Sequence, residues 1–568
     1  MDEGDEASTT PRARRVVDQL NSLVLQVLQG GFQILDPESD VVDAFAPPLD
    51  VAYQPAVLAR RSYELQTAVA ERQHRFLDSL FLDPFPGGLV QPPDLVEVGK
   101  RLIEVAHRQG DMVYSFEHVR ILVAPVHRMR RSFRAQARVL TDMPGERRLN
   151  RCAYNGTSPL RRNLPRKGAA QLAGSVIVAS ARTAVGKFGG ALRDVPAVAL
   201  GSRAIKAALH RAGVRGEHVD YVIMGQVLQA GTGQITARQA ATAAGIPQST
   251  PAITVNKVCL SGLTAIALAD QLVRAGEVSV VVAGGMESMD QAPYLLPKAR
   301  WGHRMGDGAL VDSMQLDGLV DAFSHKTMGA QSDEVNNELG ISRPEQDAWA
   351  ARSHARAHAA TEDGRFAHEI TPLELAQRKG DSKTFDRDEG IRADATTASL
   401  AALGPAFAED GTITAGNAAQ ISDGGAAVVV MSSERAEELG IRPVAEILAH
   451  GMSAAEPPYL HTVPALAVQT ALKKAGLSPD EIDLLEINEA FAAVALHSTR
   501  MLFGDDISAE DKVNVNGGGV ALGHPIGCTG ARITVTLLHE LQRRGGGVGA
   551  AALCGGGGQG DALIYRVR

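Results

Sequence analysis

The sequence predicts an α/β protein built from two copies of one unit, and three observations support this fold class. Segments typical of strands and of helices alternate regularly after residue 174, as they do in α/β folds. Three motifs then recur in the same order: VDYVIMGQ as IDLLEINE, ITVNKVCLSG as VNVNGGGVAL, and VVVAGGMESM as AALCGGGGQG. Such internal similarity indicates a repeated structural unit.

Residues 1–173 form an extension that lacks this alternation. Apolar residues at 16–28 and at 95–106 have helical spacing, so we expect amphipathic helices there. Between His127 and Lys167 the chain carries 11 Arg, 1 Lys and 2 acidic residues, and it ends in a linker-like stretch. A basic run can bind an anionic partner or serve as a solvated tether. No motif in the extension indicates a function.

The two copies and the insertion follow the extension in order. The first copy is expected at 174–297 and 413–438, with strands and helices alternating from SVIVASART to VSVVVAGGMESM. Residues 298–412 are richer in charge and contain a helical segment, RPEQDAWAARSHARAHAA. Insertions of this size on a rigid scaffold often cover a binding site. The second copy is expected at 439–568.

Composition excludes several classes of protein. The formal net charge is −8, so overall basicity gives no indication of a nucleic-acid partner. No apolar run reaches the ~18 residues that predict a membrane span, and no signal peptide begins the chain. Four scattered cysteines form neither a disulfide framework nor a CxxC metal motif. We therefore expect a cytoplasmic protein with free thiols and no metal site.

Cys259 and His524 are the first two candidate catalytic residues. Cys259 lies where a strand passes into a helix, and a helix N-terminus favours thiolate and lowers a thiol pKa. It could therefore be a nucleophile, or simply a small buried residue. His524 lies between Gly523 and Pro525 in a loop that opens a helix. It could accept the thiol proton, or be a histidine hydrogen-bonded in a turn.

Cys554 and Asn488 complete the candidate set. Cys554 ends a strand and precedes four glycines, whose backbone N–H groups could stabilise an oxyanion; the alternative is a flexible turn. Asn488 lies at a strand-to-helix junction, where it could hold a water or an oxyanion, or cap the helix. Two thiols, a histidine and an asparagine in such loops indicate acyl transfer combined with proton abstraction next to a carbonyl.

The whole of residues 174–568 resembles the thiolase family. The matching motifs are KVCLSG, AGGMESM, NEAFAA, NVNGGGVALGHPIGCTGAR and CGGGGQG, in the family order. The resemblance is strongest to the bacterial members that join two acetyl-CoA molecules. It implies two βαβαβαββ halves stacked in five αβαβα layers, with a loop domain over coenzyme A (CoA).

The resemblance also implies a role for each catalytic candidate. Cys259 would be the acylated nucleophile, His524 its base, and Cys554 the acid/base that deprotonates the second acetyl group. Asn488, through a water, and His524 would form one oxyanion hole. The backbone N–H groups of Cys259 and Gly556 would form the other.

The implied substrate contacts lie mostly in the insertion. The resemblance gives Leu319, Met328, Phe407 and Phe491 as walls of the acyl pocket, and Arg392, Ser399, Ala415 and Ala419 as neighbours of CoA. Two positions depart from many biosynthetic members: Lys326-Thr327-Met328-Gly329 stands for a motif containing HMG, and Ala419 replaces a serine. Both departures leave the catalytic residues unchanged, and we expect their effect to be on the preferred acyl-chain length and on the affinity for CoA.

The implied activity is the reversible condensation of two acetyl-CoA to acetoacetyl-CoA and CoA. The implied partners are acyl-CoA thioesters and CoA, with no nucleic acid, membrane, metal or prosthetic group. A dimer or tetramer of identical chains is implied as well. Two alternatives remain: a degradative 3-ketoacyl-CoA thiolase acting on longer chains, and a non-catalytic acyl-CoA-binding protein.

Overall fold

The structure is a computed structural model that describes residues 174–377, 380–504 and 511–568. The two expected helices of the extension, its Arg-rich segment and Cys152 lie outside the described residues. The strands are β1 (Ser175–Arg182), β2 (Gly186–Lys187), β3 (Tyr221–Gly225), β4 (Ala252–Val255), β5 (Val280–Ser288), β6 (Tyr294–Leu295), β7 (Val311–Asp312), β8 (Leu373–Leu375), β9 (Lys383–Phe385), β10 (Ser422–Ser432), β11 (Ala445–Ala454), β12 (Leu484–Ile487), β13 (Gly547–Gly555) and β14 (Gln559–Val567).

The α-helices of the described residues follow the predicted alternation. They are α1 (Ala197–Ala212), α2 (Thr236–Ala243), α3 (Ser261–Arg274), α4 (Met328–Asn336), α5 (Arg343–Glu362), α6 (Thr397–Ala401), α7 (Ser433–Glu438), α8 (Val463–Ala475), α9 (Ala492–Phe503), α10 (Gly519–Leu522) and α11 (Thr529–Arg543). No helix in the described ranges has the length and apolar character needed to cross a membrane.

The main sheet has the strand order β12-β13-β14-β11-β1-β10-β5-β3-β4, with β2 paired to β10. Strands β3, β4 and β5 run parallel, as do β12 and β13. The two copies are joined where β1 pairs antiparallel with β11. Strands such as β1 and β5 are buried along their whole length, which explains why they read as continuous apolar runs.

Helices pack on these strands in five layers, as predicted. Helices α1 and α2 cover the outer side of the first copy, and α8 and α9 cover that of the second. Helices α3 and α11 pack against each other and against strands of both copies, so they form the central layer. Separate buried apolar clusters fill the central layer and the two outer interfaces.

Local signals in the sequence explain where several helices begin and end. Helices α1 and α8 stop at Gly213 and Gly476, both with positive φ, because glycine adopts the left-handed conformation without strain. Helix α5 begins with a capping box between Ser342 and Glu345, followed by a proline in its first turn. These signals lie in the predicted segments, so the helix positions were readable from the chain.

The segment VNVN of the second copy, which corresponds to β4 of the first, forms only one bridge, between Val513 and Leu485. Asn514 has a φ of 48°, which ends an extended strand. Its side chain takes over the pairing: Oδ1 accepts from the backbone N of Ile487 at 2.8 Å, and Nδ2 donates to the Ile487 carbonyl at 2.8 Å. The two copies therefore differ here, since VNVN forms no strand as long as β4 although it keeps its place beside β12.

The insertion runs between β5 and β10, and it contains α4, α5 and α6 together with two small hairpins, β6–β7 and β8–β9. Its long helix α5 coincides with the predicted helical segment. Strand β10 then returns to pair with both β1 and β5. The insertion thus leaves and re-enters the first copy at neighbouring strands.

Candidate active site

Cys259 lies in a tight turn between β4 and α3. Val258, directly before it, has a φ of 51°, an uncommon conformation for a β-branched residue. Ser261 stabilises this turn, because its Oγ accepts from the backbone N of Lys257 at 2.8 Å and donates to the Val258 carbonyl at 2.6 Å. The thiol is 2% exposed. The turn therefore holds Cys259 in one buried position at the start of the helix.

The environment of the Cys259 thiol corrects one expectation from the sequence. Burial raises its pKa to about 12, while hydrogen bonds from the backbone N–H groups of Gly556 and of Cys259 itself act in the opposite direction. The expected lowering by the helix start is therefore wrong for the free protein, because loss of solvent outweighs the two donors. These two hydrogen bonds place the Gly556 N–H and the Cys259 N–H at one atom, the Cys259 sulfur.

Cys554 lies at the end of β13, two residues before Gly556. It is 2% exposed, and burial raises its pKa, as does the negative charge that Cys259 would carry as a thiolate. The structure therefore brings the two predicted thiols into electrostatic contact although 294 residues separate them in the chain. Both are protonated at neutral pH.

His524 is buried in the loop between α10 and α11. Its backbone N donates to Ser422 Oγ at 2.7 Å and to the Gln420 carbonyl at 3.0 Å. Its ring Nδ1 lies 2.6 Å from Thr529 Oγ1. Burial, together with the positive charge of Arg532, lowers the pKa of the imidazole to about 3. His524 is therefore neutral and able to accept a proton.

Asn488 contacts His524 directly. Its Nδ2 lies 3.4 Å from His524 Nε2, and its Oδ1 is buried without a protein partner. The backbone N of Asn488 donates to the Ala552 carbonyl at 3.0 Å, which places it beside β13, two residues from Cys554. Asn488 thus lies between the histidine loop and the second thiol, with an amide oxygen available to a water or a substrate.

Two glycines bring the cysteine helix and the histidine helix together. A Cβ on Gly262, in α3, would lie 2.8 Å from the backbone N of Ala531, and a Cβ on Gly530, in α11, would lie 2.3 Å from the backbone N of Leu263. No side chain fits at either crossing point. The close approach of these helices therefore requires glycine on both, and it brings together the loops that precede them.

Comparison with known proteins agrees with this geometry. The model of the thiolase N-terminal domain matches residues 175–434, and that of the thiolase C-terminal domain matches residues 441–567.

The chain belongs to the thiolase family.

Several relatives and one solved structure within this family cover the same part of the chain. A protein of Mycolicibacterium smegmatis named probable acetyl-CoA acetyltransferase is 56% identical over 391 residues, which are 69% of this chain and 100% of that protein. An acetyl-CoA acetyltransferase of Cupriavidus necator is 52% identical over 68% of this chain and 98% of its own length. The crystal structure of the Bacillus anthracis acetyl-CoA acetyltransferase matches with a TM-score of 0.68 and 43% identity, over 70% of this chain and 99% of its own.

The predicted walls of the acyl pocket partly come together in this thiolase. The rings of Phe407 and Phe491 meet edge to face, with centroids 5.9 Å apart. Met328 borders the glycine loop, since a Cβ on Gly556 would lie 3.6 Å from its sulfur. Leu319 is half-buried against the central apolar cluster that contains Cys259. These residues lie at the face of the site where the insertion meets the two copies.

The predicted neighbours of CoA lie nearer the surface. Arg392, Ser399 and Ala415 are exposed, and Ala419 is half-buried. The backbone N of Arg392 donates to His354 Nδ1 at 3.1 Å, which ties its segment to α5. Ser399 forms a capping box with Thr396 at the start of α6. Three of these four residues are therefore accessible to solvent.

Glu287 was missed by sequence analysis although it lies in the AGGMESM motif. Its Oε2 accepts from the backbone N of Val227 and of Gly527, both at 2.9 Å, and its Oε1 accepts from Leu228 N at 3.2 Å. Burial raises the pKa of this carboxyl to about 7 despite the three donors. Glu287 therefore joins the loop after β3 to the histidine loop. A glutamate within an apolar strand was the available signal.

Glu489, which follows Asn488 in the NEAFAA motif, was also missed by sequence analysis. It is 1% exposed. Its carboxylate accepts from Trp349 Nε1 at 2.8 Å and Ser353 Oγ at 2.7 Å, both on α5, and from Asn514 Nδ2 at 2.9 Å. It thereby anchors the loop that carries Asn488 to the insertion.

In the described part of the chain, no group of three His, Cys, Asp or Glu side chains could hold a metal ion.

Proposed function

We propose that this thiolase catalyses the reversible condensation of two acetyl-CoA molecules to acetoacetyl-CoA and CoA. The observation that carries the proposal is the shared environment of the two thiols. Cys259 faces the backbone N–H of Gly556 and the side chain of Cys554, while a neutral histidine stands in contact with Asn488. The relatives named acetyl-CoA acetyltransferase, at 52–56% identity, support acetyl-CoA as the substrate.

In the first half-reaction Cys259 becomes acetylated. His524 Nε2 takes the Cys259 proton, and the sulfur attacks the carbonyl carbon of acetyl-CoA while the oxyanion accepts from the N–H groups of Cys259 and Gly556. The bond from that carbon to the CoA sulfur breaks. Because Cys554 is protonated at rest, it can give its proton to the departing CoA thiolate. His524 is left as the imidazolium and Cys554 as the thiolate.

In the second half-reaction a carbon–carbon bond forms. The Cys554 thiolate takes a proton from the methyl group of a second acetyl-CoA, and the enolate oxygen is stabilised by His524 Nε2–H and by a water on Asn488. The enolate carbon attacks the acetyl carbon on Cys259, and the bond to sulfur breaks. The Cys259 thiolate recovers its proton from His524. All three groups have then regained their starting protonation states, and the proton that Cys554 gave to CoA has been replaced by one from the methyl group.

The CoA part of the substrate is proposed to lie against the insertion. The side chain of Arg392 is exposed and suited to a phosphate, and Ser399, Ala415 and Ala419 are proposed as further neighbours of CoA. A cytoplasmic location and a homodimer or homotetramer belong to the same proposal. Light scattering of the purified protein would decide the oligomeric state.

Mass mapping after brief exposure to acetyl-CoA tests the proposal. We expect one acetyl group, located on Cys259, and none on Cys528, which is also buried and serves as an internal control. Acetylation elsewhere, or no acetylation in protein that forms acetoacetyl-CoA, would rule out the proposed nucleophile.

Thiolysis rates across chain lengths distinguish the biosynthetic activity from the degradative alternative. The edge-to-face pair of Phe407 and Phe491 and the nearby Met328 restrict the space beside the glycine loop, so we expect acetoacetyl-CoA to be cleaved faster than 3-ketoacyl-CoA with eight or more carbons. A faster reaction with the longer chains would instead support β-oxidation. Failure to turn over any of them, with retained binding of CoA, would support the non-catalytic alternative.

A further inference from the structure

One buried hydroxyl lies between the imidazole of His524 and the turn that follows it. Thr529, the first residue of α11, is 0% exposed. Its Oγ1 lies 2.6 Å from His524 Nδ1 and 2.9 Å from the carbonyl oxygen of Pro525. The second contact is the bond to the fourth preceding carbonyl that threonine often makes in helices. Sequence analysis gave Thr529 no role.

The protons available at these contacts decide which nitrogen of His524 is protonated. A hydroxyl has a single proton. If Thr529 donates it to the Pro525 carbonyl, then Thr529 Oγ1 can only accept from His524, so Nδ1 carries the ring proton. Nε2 is then left with a lone pair.

The opposite side of the ring gives the same answer independently. Asn488 Nδ2, an amide nitrogen that can only donate, faces His524 Nε2 at 3.4 Å. Nε2 is therefore the accepting nitrogen, in agreement with a proton on Nδ1. Contacts from two separate elements, α11 and the loop after β12, specify one tautomer of the neutral ring.

We propose that Thr529 is a positioning residue that holds His524 in the Nδ1–H tautomer, so that Nε2 is the proton acceptor for Cys259. This inference rests on the proposed function. The same hydroxyl also suits the next step, because Nδ1–H continues to donate to Thr529 Oγ1 after Nε2 has taken the Cys259 proton. The Thr529 hydroxyl keeps its proton and its hydrogen bond to the Pro525 carbonyl throughout, and the proton on Nε2 returns to Cys259 when the product forms.

The electrostatic surroundings explain why such a partner is needed. Burial and the positive charge of Arg532 both disfavour a charged imidazole. An acceptor on Nδ1 is one of the few groups that stabilises the imidazolium over the neutral ring. Without the Thr529 hydroxyl, the neutral ring can carry its proton on Nε2 instead. A protonated Nε2 cannot accept the Cys259 proton.

Two substitutions and a matched control test the proposal kinetically. Thr529→Val removes the hydroxyl at nearly constant shape, Thr529→Ser keeps it, and Thr499→Val removes a buried helical hydroxyl that donates to the Ala495 carbonyl at 2.7 Å, away from the site. We expect the rate of Cys259 acetylation by acetyl-CoA to fall at least about tenfold in Thr529→Val. It should stay within about threefold of wild type in Thr529→Ser and Thr499→Val. Wild-type rates in Thr529→Val, or an equal loss in Thr529→Ser, would overturn the proposal.

Nitrogen-15 NMR of histidine-labelled protein observes the tautomer itself. With the signal assigned through His524→Gln, wild type should show protonated Nδ1 and unprotonated Nε2, and Thr529→Val should show a shift toward protonated Nε2. A wild-type ring protonated on Nε2 contradicts the proposal even if Thr529→Val fails to fold. Absence of acetylation in the wild-type protein would instead refute the proposed function, whichever tautomer the spectrum shows.

Discussion

At the scale of single residues, Cys259 and Cys554 are chemically similar but are proposed to have different tasks. Both are buried, and burial raises both thiol pKa values. Only Cys259 accepts hydrogen bonds from two backbone N–H groups, which favours it as the attacking atom. A thiolate at Cys259 would oppose ionisation of Cys554, so Cys554 loses its proton most readily once acylation has removed the possibility of that charge.

Cys554→Ser should separate the two half-reactions. Acetylation of Cys259 should fall by no more than about tenfold, since a CoA thiolate leaves readily without a proton donor. Formation of acetoacetyl-CoA should fall by at least about 10³-fold, because a serine hydroxyl is a much weaker acid than a thiol and does not form the anion that takes the methyl proton. Rapid-quench mass spectrometry and steady-state assays measure the two steps. Cys528→Ala, which removes the third described buried thiol, is the control. Condensation at a near wild-type rate in Cys554→Ser would show that another group takes the methyl proton.

At the scale of elements, helix α5 holds the segment around Arg392 within the insertion through a buried histidine. His354 is 1% exposed, and its Nδ1 accepts the backbone N–H of Arg392. Burial and the charge of Arg392 lower its pKa from 6.5 to about 4. The folded protein therefore holds a neutral ring where the unfolded chain would bind a proton. The contribution of this neutral ring to the free energy of unfolding is fully present above pH 6.5 and is lost as the pH falls toward 4.

His354→Gln should reduce this acid sensitivity. The amide oxygen of glutamine can accept the Arg392 N–H but does not titrate, so the free energy of unfolding should fall less between pH 6.5 and 4 than in wild type, by on the order of 2 kcal/mol. Urea unfolding at several pH values measures it. His358→Gln, one turn further along α5 and exposed, should show the wild-type dependence. Identical slopes for His354→Gln and wild type would show that His354 contributes nothing to it.

The crossing of α3 and α11 is the second feature of this scale. Gly530→Ala would place a methyl group 2.3 Å from the backbone N of Leu263, and backbone cannot move aside as a flexible side chain can. We expect a loss of roughly 1–3 kcal/mol in the free energy of unfolding, together with slower acetylation of Cys259. Thermal unfolding and mass spectrometry measure the two effects. Gly404→Ala, where a Cβ meets no atom within 4 Å, should be neutral, and equal stability of the two variants would refute the close crossing.

At the scale of the whole molecule, the two copies are connected by bonds as well as by packing. Strands β1 and β11 pair across the junction. Lys257, two residues before the nucleophile, donates to Asp561 Oδ1 of β14 at 2.8 Å, and Thr264 of α3 donates to Asp561 Oδ2 at 2.8 Å. The turn that carries Cys259 is thus fixed to the copy that carries Cys554. Everything that the proposed reaction requires lies within residues 174–568.

Removal of residues 1–171 should therefore leave catalysis nearly unchanged. The family match begins at residue 175, where β1 starts and is already paired on both sides. We expect a chain beginning at Leu172 to keep kcat/KM for acetoacetyl-CoA thiolysis within a few-fold of the full chain, equivalent to less than about 1 kcal/mol of transition-state stabilisation. Steady-state assays of both chains decide this. An insoluble product, or a rate lower by orders of magnitude, would make the extension an integral part of the enzyme.

The sequence by itself determined the α/β class, the repeated unit, most helices and the four catalytic candidates. Apolar periodicity, turn residues and motifs around Cys259, Asn488, His524 and Cys554 are properties of short segments, so they can be read without a structure. Charge states and partners are not, since they depend on segments that are distant in the chain. Only the tertiary structure revealed that burial raises the Cys259 pKa, that Asn514 replaces a strand with side-chain hydrogen bonds, and that Asn488 and Thr529 bind opposite nitrogens of one imidazole. Each of these results from desolvation or from a contact that forms only when the two copies and the insertion pack together.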